Sequence, residues 1–404
     1  MATTDYKEID VCVACGNSHL VTTLDLDHQP LANDFLPPGS VFDSYPLKLM
    51  RCENCFHSQL SIAVNPTRLF RDYSYVSGTS ETLSSYFDEF SRDIVARFGQ
   101  GKKILDIGSN DGSFLEKFTD SDWLTLGVDP AVNLISESAA KNVITVPTFF
   151  DERMASLLTN DFDVIVAMNV FAHTQNPLEI LNGIKRCLSN SGRAFVQTSQ
   201  ANMFTSGQFD TVYHEHISFF NVQSMKALLD RAGLSLVEVT IVSIHGQSYL
   251  WEIQKGGQHA TNIVREMEEK DFGLYEVSLY SDFARLARNI ANQVARTVTD
   301  FRSQNFKIVS YGAAAKGNTF INFAEISFDY IFDDTPQKIG RLSPAGGCKV
   351  SSPEELKDID SPILIIIPAW NFGSEILEKI RLLRDNLDDM YLTYFPEIEL
   401  KNVF

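Results

Sequence analysis

The stretch Lys103-Ile-Leu-Asp-Ile-Gly-Ser-Asn-Asp-Gly-Ser113 decides the fold. Ile104 to Ile107 is an apolar run of strand length, with Asp106 near its end. Gly108 and Gly112 follow, and without a Cβ the backbone there turns tightly and approaches a ligand closely. The spacing predicts a strand, a glycine-bearing turn carrying Asn110, and a helix from about Ser113 to Phe118. That order opens an α/β nucleotide-binding unit. The glycines fall as Asp-x-Gly-x-x-x-Gly, so the G-x-G-x-x-G dinucleotide fingerprint is absent and NAD is disfavoured.

Downstream, Leu124-Thr-Leu-Gly-Val-Asp129 is a second strand ending in an acid, 23 residues after Asp106. A carboxylate at that place in a βαβ unit can accept both hydroxyls of a ribose. Val143–Val146 predicts a third strand, and Thr148-Phe149-Phe150 could flank an adenine. A fourth strand, from Asp163, ends at Asn169. A helix over 178–188 and a strand over 193–197 complete the alternation, which implies a parallel sheet with its ligand at the carboxyl ends of the strands.

The chain has 404 residues, 44% of them hydrophobic, enough for two or three domains. No apolar run approaches the ~20 residues that cross a bilayer. Its start, MATTDYKEID, is polar and acidic, so a cytoplasmic protein is expected. A net charge of −18 argues against nucleic-acid or anionic-membrane partners, but not against a small anionic substrate held by local cations.

Upstream lie two Cys-x-x-Cys pairs, Cys12/Cys15 and Cys52/Cys55. In a cytosolic chain this pattern indicates metal before disulfide. Two such knuckles complete the four-thiolate tetrahedron that zinc prefers, a closed and therefore structural site. His57 is a competing ligand the pattern does not need. The following Tyr/Ser-rich stretch around Tyr75 is either a plain connection or a lid, before a helix over 81–98.

Phe171-Ala-His173 follows the fourth strand, and Tyr213-His214-Glu215-His216 comes later. Drawn as a strand, that cluster faces Tyr213 and Glu215 one way and His214 and His216 the other, whereas a bend brings three together. It suits metal binding, a polar structural cluster or acid/base work. Acid/base work is the reading taken, because imidazole titrates nearest neutral pH. Beyond it, His245-Gly-Gln-Ser opens a strand, residues 258–304 are helical, and Lys307–Thr319 repeats the strand–glycine–helix theme with Tyr311, Gly312, Lys316 and Asn318. Lys338 and Arg341 add cations, which points to a diphosphate at this second turn.

The order of these features resembles the three-domain sugar C-methyltransferases of deoxysugar biosynthesis, which methylate C-3 of nucleotide-linked 4-keto sugars. The features are the four-cysteine module, Tyr73-Ser-Tyr75-Val-Ser-Gly78, the Asp-x-Gly loop, Tyr213–His216, Tyr311-Gly-Ala-Ala-Ala-Lys316-Gly-Asn318 and Ala369-Trp370-Asn371. The resemblance implies a zinc-binding module over 1–70 and a class I S-adenosylmethionine (SAM) methyltransferase domain over 71–205. A second Rossmann-like α/β domain over 206–404 would hold the sugar nucleotide. It implies SAM contacts at Asp106, Gly108, Asn110, Gly112, Asp129 and Asn169. It makes His216 the base and places Tyr213, Glu215, His173 and Tyr75 around the reacting sugar. Tyr75, His214, His245, Tyr311, Lys316, Asn318 and Arg341 become substrate contacts, with the active site in a cleft between the two ligand-binding domains. Gln247 and Ser248 after His245-Gly246 depart from the family pattern and leave the sugar open. An O-methyltransferase on the same fold, or a non-catalytic nucleotide-sugar binder, are the competing expectations.

Overall fold

The computed structural model describes every residue except 1–4, 72–75, 80, 120, 200–202 and 245–246. Tyr75 and His245 therefore lie outside the described residues. The chain forms two compact units. One comprises Met1–Val21, Met50–Asn202 and Glu215–Tyr275, the other Thr22–Leu49, Met203–His214 and Glu276–Phe404.

The first unit is built on a seven-stranded sheet. Its order is Leu234–Val242, Ser248–Lys255, Leu188–Ser199, Phe162–Met168, Lys103–Ile107, Leu124–Val128, Thr145–Val146. The first five strands in sequence are parallel, and Ser248–Lys255 is antiparallel to both neighbours. Both faces are covered, so Val164, Ile165, Val166 and Ala167 are all buried without alternation. One face takes Leu83, Phe87, Phe90 and Ile94 of the helix Glu81–Phe98, at the spacing of one helical stripe. The other takes Ile180, Leu181 and Ile184 of Pro177–Cys187 with Leu228 and Leu229 of Val222–Ala232. Each such side chain contributes about 1.5–3 kcal/mol on burial.

Several elements differ from the sequence expectation. The helix after the glycine loop shrinks to a 3₁₀ turn, Leu115–Phe118, because the chain bends back to seat Trp123 against Phe118, ring centroids 5.3 Å apart. The strand expected over 143–146 is only Thr145–Val146. The long helical region divides into Val264–Asp271 and Val277–Ser303, broken where Gly273 takes φ 78°. The strands Leu234–Val242 and Ser248–Lys255 close the first sheet, since the latter pairs with Leu188–Ser199 and buries Trp251.

The second unit carries a six-stranded sheet of order Val350–Ser351, Tyr330–Phe332, Lys307–Tyr311, Ile363–Ile366, Met390–Thr393, Glu399–Asn402, parallel except at the last pair. In each sheet the strand order reverses beside the strand that precedes the glycine turn. The reversals lie between Lys103–Ile107 and Phe162–Met168, and between Lys307–Tyr311 and Ile363–Ile366. Such switch points open a crevice at the strand carboxyl ends.

Candidate active site

At the first switch point the backbone turns through left-handed conformations at Gly108, Asn110 and Gly112, with φ of 75°, 50° and 76°. Gly108 N–H donates to the Val128 carbonyl at 2.7 Å, so the turn hangs from the second strand. Asp129 holds it from the side. Its Oδ2 accepts the Asn110 amide and its Oδ1 the Ala131 amide, both at 2.8 Å. Each oxygen keeps a lone pair for a hydroxyl. Burial, then the neighbouring Asp129, pushes the Asp106 carboxyl up to about 8, and burial likewise raises Asp129. Two buried acids together are a cost that a ligand bringing hydroxyls and positive charge relieves. SAM, with a ribose diol and two cationic groups, fits. Asn169 follows the fourth strand at φ 55°, its amide donating to the Gln197 carbonyl at 3.1 Å.

The loop is braced from outside in ways the sequence did not announce. Ser77 N–H donates to Asn110 Oδ1 at 2.9 Å and Gly78 N–H to Asp111 Oδ2 at 3.2 Å. A Cβ on Gly78 would lie 2.5 Å from Ser113 Oγ, so only glycine allows this approach. Lys141 pairs with Asp111 and reaches Ser113 Oγ at 2.7 Å. The dense Ser-Gly-Thr run at 77–79 was the available signal. Asn110, expected to bind cofactor, uses its side-chain oxygen on Ser77.

His173 and His216, 43 residues apart in sequence, come together. Their rings stack with centroids 5.2 Å apart and planes 19° from parallel. Phe70 stacks on the far face of His173 at 5.7 Å, and Phe219 meets His216 edge-on at 6.2 Å. The 3₁₀ turn Phe171–His173 delivers His173, anchored by the wholly buried Phe171 against Phe220. The Tyr213–His216 motif is a turn, not a strand, so the alternation of faces does not apply. Tyr213 and His216 are half-buried, whereas His214 and Glu215 are buried. His214 rests edge-on against Tyr45, with Nε2 3.3 Å from the Pro46 carbonyl, and burial lowers its pKa to about 4. A neutral, wedged imidazole results.

The four cysteines also converge. Their sulfurs all lie within 4.8 Å of one another, with Cys12–Cys55 and Cys15–Cys52 each at 3.6 Å. A zinc tetrahedron with ~2.3 Å bonds spaces its sulfurs about 3.8 Å apart, so the donors fit the ion. The shared contact with Cys55 lowers Cys12 to about 4, while burial raises Cys52 to about 11. Four sulfurs this close would all be thiolates only with a dication between them. His57 stands aside, with Nε2 3.3 Å from Ser218 Oγ and its ring 4.6 Å from Phe220. The knuckles are knitted to the helix Val222–Ala232 that covers the first sheet. Arg231 donates to the Val13 and Ala14 carbonyls at 3.0 and 2.6 Å, and Asn221 to the Phe56 carbonyl at 2.8 Å.

In the second unit, Gly312 hangs from the Phe332 carbonyl at 2.7 Å, with φ 101°. Asp333 accepts the Ala313 and Thr335 amides at 2.7 and 2.8 Å, repeating the Asp129 arrangement. Here the acid is paired: Lys338 Nζ lies 3.1 Å from Asp333 Oδ2. Tyr311 is buried, and its hydroxyl donates to Asp334 at 3.4 Å. Asn318 donates to the Ala32 carbonyl at 2.7 Å and accepts from Ser343 at 3.3 Å. Arg341 donates to the Phe35 carbonyl at 3.1 Å. Lys316 is half-buried, with its ammonium 5.6 Å from the Trp370 ring centroid.

Three family models match along the chain: a zinc binding domain over 12–70, a methyltransferase domain over 80–239 and a C-methyltransferase C-terminal domain over 243–393. The C-methyltransferase NovU of Streptomyces niveus is 27% identical over 94% of this chain and 94% of its own length. A ubiquinone biosynthesis O-methyltransferase of Glaesserella parasuis is 32% identical, but over only 24% of this chain and 45% of that protein. A solved SAM-bound magnesium protoporphyrin IX methyltransferase from Synechocystis covers 43% of this chain and 79% of that one, at 13% identity and a TM-score of 0.34.

Proposed function

For a chain that belongs to the three-domain SAM-dependent C-methyltransferases, we propose that the acceptor is a nucleotide-diphosphate-linked 4-keto sugar, methylated at C3. A ketone acidifies the neighbouring C–H bond. His216 takes that proton on its imidazole, and a donor at the ketone oxygen, Tyr213 or His173, stabilises the enolate. Such a pre-aimed donor typically contributes ~2.7–4 kcal/mol. Bound SAM supplies an electrophilic methyl group, which the enolate carbon takes as S-adenosylhomocysteine leaves. Asp129 would hold the ribose hydroxyls, and Asp106 the cationic part. Holding base, enolate and methyl in register is mostly positioning, which fits the rigid ring stack around His216. In the second unit, Lys316 supplies positive charge for the diphosphate. Tyr75, Glu215, His214, His245, Tyr311, Asn318 and Arg341 belong to the same reading as contacts or supports of the substrate.

The observation that carries this reading is the His173–His216 stack. The two Cys-x-x-Cys knuckles agree with a cytoplasmic setting, and the acidic chain with a small-molecule partner rather than nucleic acid. Among the described residues no helix is long and apolar enough to cross a membrane.

The test is a panel of nucleotide-linked 4-keto hexoses with SAM in deuterated water. A product heavier by one methyl group and deuterium exchange beside the ketone without SAM are expected. Turnover of hydroxylated acceptors lacking a ketone would replace the reading with O-methylation.

A further inference from the structure

Asp210 is 1% exposed and sits in the 3₁₀ turn Phe209–Thr211 of the second unit, three residues before Tyr213. Its Oδ2 accepts two hydrogen bonds from distant segments, from Trp370 Nε1–H at 3.1 Å and from the Tyr394 hydroxyl at 3.0 Å. Its Oδ1 is buried without a hydrogen-bond partner. Burying a carboxyl with one oxygen unsatisfied is costly, and such groups persist where they serve function.

The partners show which function. Trp370 follows the strand Ile363–Ile366, at the carboxyl-end crevice of the second sheet's switch point. One side of its ring faces the Lys316 ammonium, and Phe395 packs on it with centroids 4.4 Å apart. Tyr394 is clamped by Phe320, the rings stacked at 3.8 Å, and Phe320 lies on the helix that carries Lys316. The same helix is pressed against the loop by Gly317, where a Cβ would lie 2.1 Å from Pro368. Lys316, Trp370 and Tyr394 thus form one rigid group, and Asp210 is the acceptor that closes it.

We propose that Asp210 is a positioning residue for the diphosphate of the substrate. It fixes Trp370, and Trp370 fixes the Lys316 ammonium. This rests on the nucleotide-sugar reading above.

The probe is inorganic diphosphate, titrated calorimetrically into the full chain and into Asp210→Ala, Asp210→Asn and Trp370→Phe. Loss of one organised cation–π contact corresponds to about tenfold in affinity. Asp210→Ala and Trp370→Phe are expected to weaken diphosphate binding by that factor or more. Asp210→Asn keeps an oxygen for both donors and is expected to stay within about threefold of wild type. SAM affinity is expected to be unchanged in all three variants. Wild-type diphosphate affinity in Asp210→Ala, or no rescue by asparagine, overturns the positioning role while leaving the substrate reading intact. A parallel fall in SAM affinity also overturns it, by showing a general folding defect. Absence of diphosphate binding by the wild-type chain overturns the substrate reading, and this one with it.

Discussion

Replacing Gly108 with alanine puts the cofactor loop under a defined strain. Gly108 has φ 75°, and an added Cβ would lie 2.1 Å from Val170 Cγ2 and 3.2 Å from Val170 Cβ. A left-handed backbone costs an L-residue roughly 1–2 kcal/mol. Overpacking against a fixed side chain adds about 1–3 kcal/mol. The sum, about 2–5 kcal/mol, falls on a turn that hangs from the Val128 carbonyl and is gripped by the Asp129 carboxyl. Relief requires the turn to move, and with it the Asn110 amide that Asp129 grips. Thermal unfolding and SAM titration read the two consequences. A unit of this size loses about 2–4 °C of Tm per kcal/mol, so a fall of roughly 4–20 °C is expected. SAM affinity should drop by at least about tenfold. Adding Val170→Ala removes the clash but leaves the backbone conformation. The double variant should recover the steric share, a coupling of about 1–3 kcal/mol. Wild-type Tm and SAM affinity in Gly108→Ala would refute the reasoning, as would strictly additive damage in the double variant.

His216→Asn should lower methyl transfer by ~10²–10⁴-fold and abolish deuterium exchange beside the ketone, with SAM affinity retained; single-turnover assays decide it. Freshly purified protein should carry a stoichiometric zinc, and Cys55→Ser should lose it with a lower Tm, as metal analysis beside calorimetry would show. Burial raises the Glu269 carboxyl to about 7, above the ~4.3 of an unfolded chain. The folded state then binds the proton more tightly, so its stabilising effect is full below about pH 4 and is lost as pH rises to about 7. That gap is worth roughly 4 kcal/mol, and Glu269→Gln should flatten this part of the profile in urea midpoints measured at pH 5 and pH 7.5. Phe70→Ala removes the ring stacked on His173 and should lower kcat more than it raises the sugar KM, because it loosens the stack without removing a polar contact.

Much of the architecture was legible from local pattern. The run Ile104–Ile107 with its glycines, the stripe Leu83–Phe87–Phe90–Ile94 and the paired cysteine knuckles each specify their structure over a few residues. Periodicity, a missing Cβ and ligand spacing act at that range. Four cysteines at knuckle spacing imply a metal site from sequence alone, and the second glycine turn at Gly312 announces a second α/β unit. What the chain order could not carry was pairing between distant segments. The antiparallel entry of Ser248–Lys255 beside Leu188–Ser199 depends on Trp251 finding the core and Thr198. The stacking of His173 on His216 depends on Phe171 and Phe220 being buried together. The bracing of Asn110 and Asp111 by Ser77 and Gly78 depends on a backbone approach that only the folded loop defines. Asn318, Arg341 and His214 each meet a backbone carbonyl of residues 32–46, a pairing that their sequence neighbourhood does not announce. A polar side chain's type states what it can bind. Which partner it meets is decided by burial, because a group removed from water must bond to whatever the packing brings within reach.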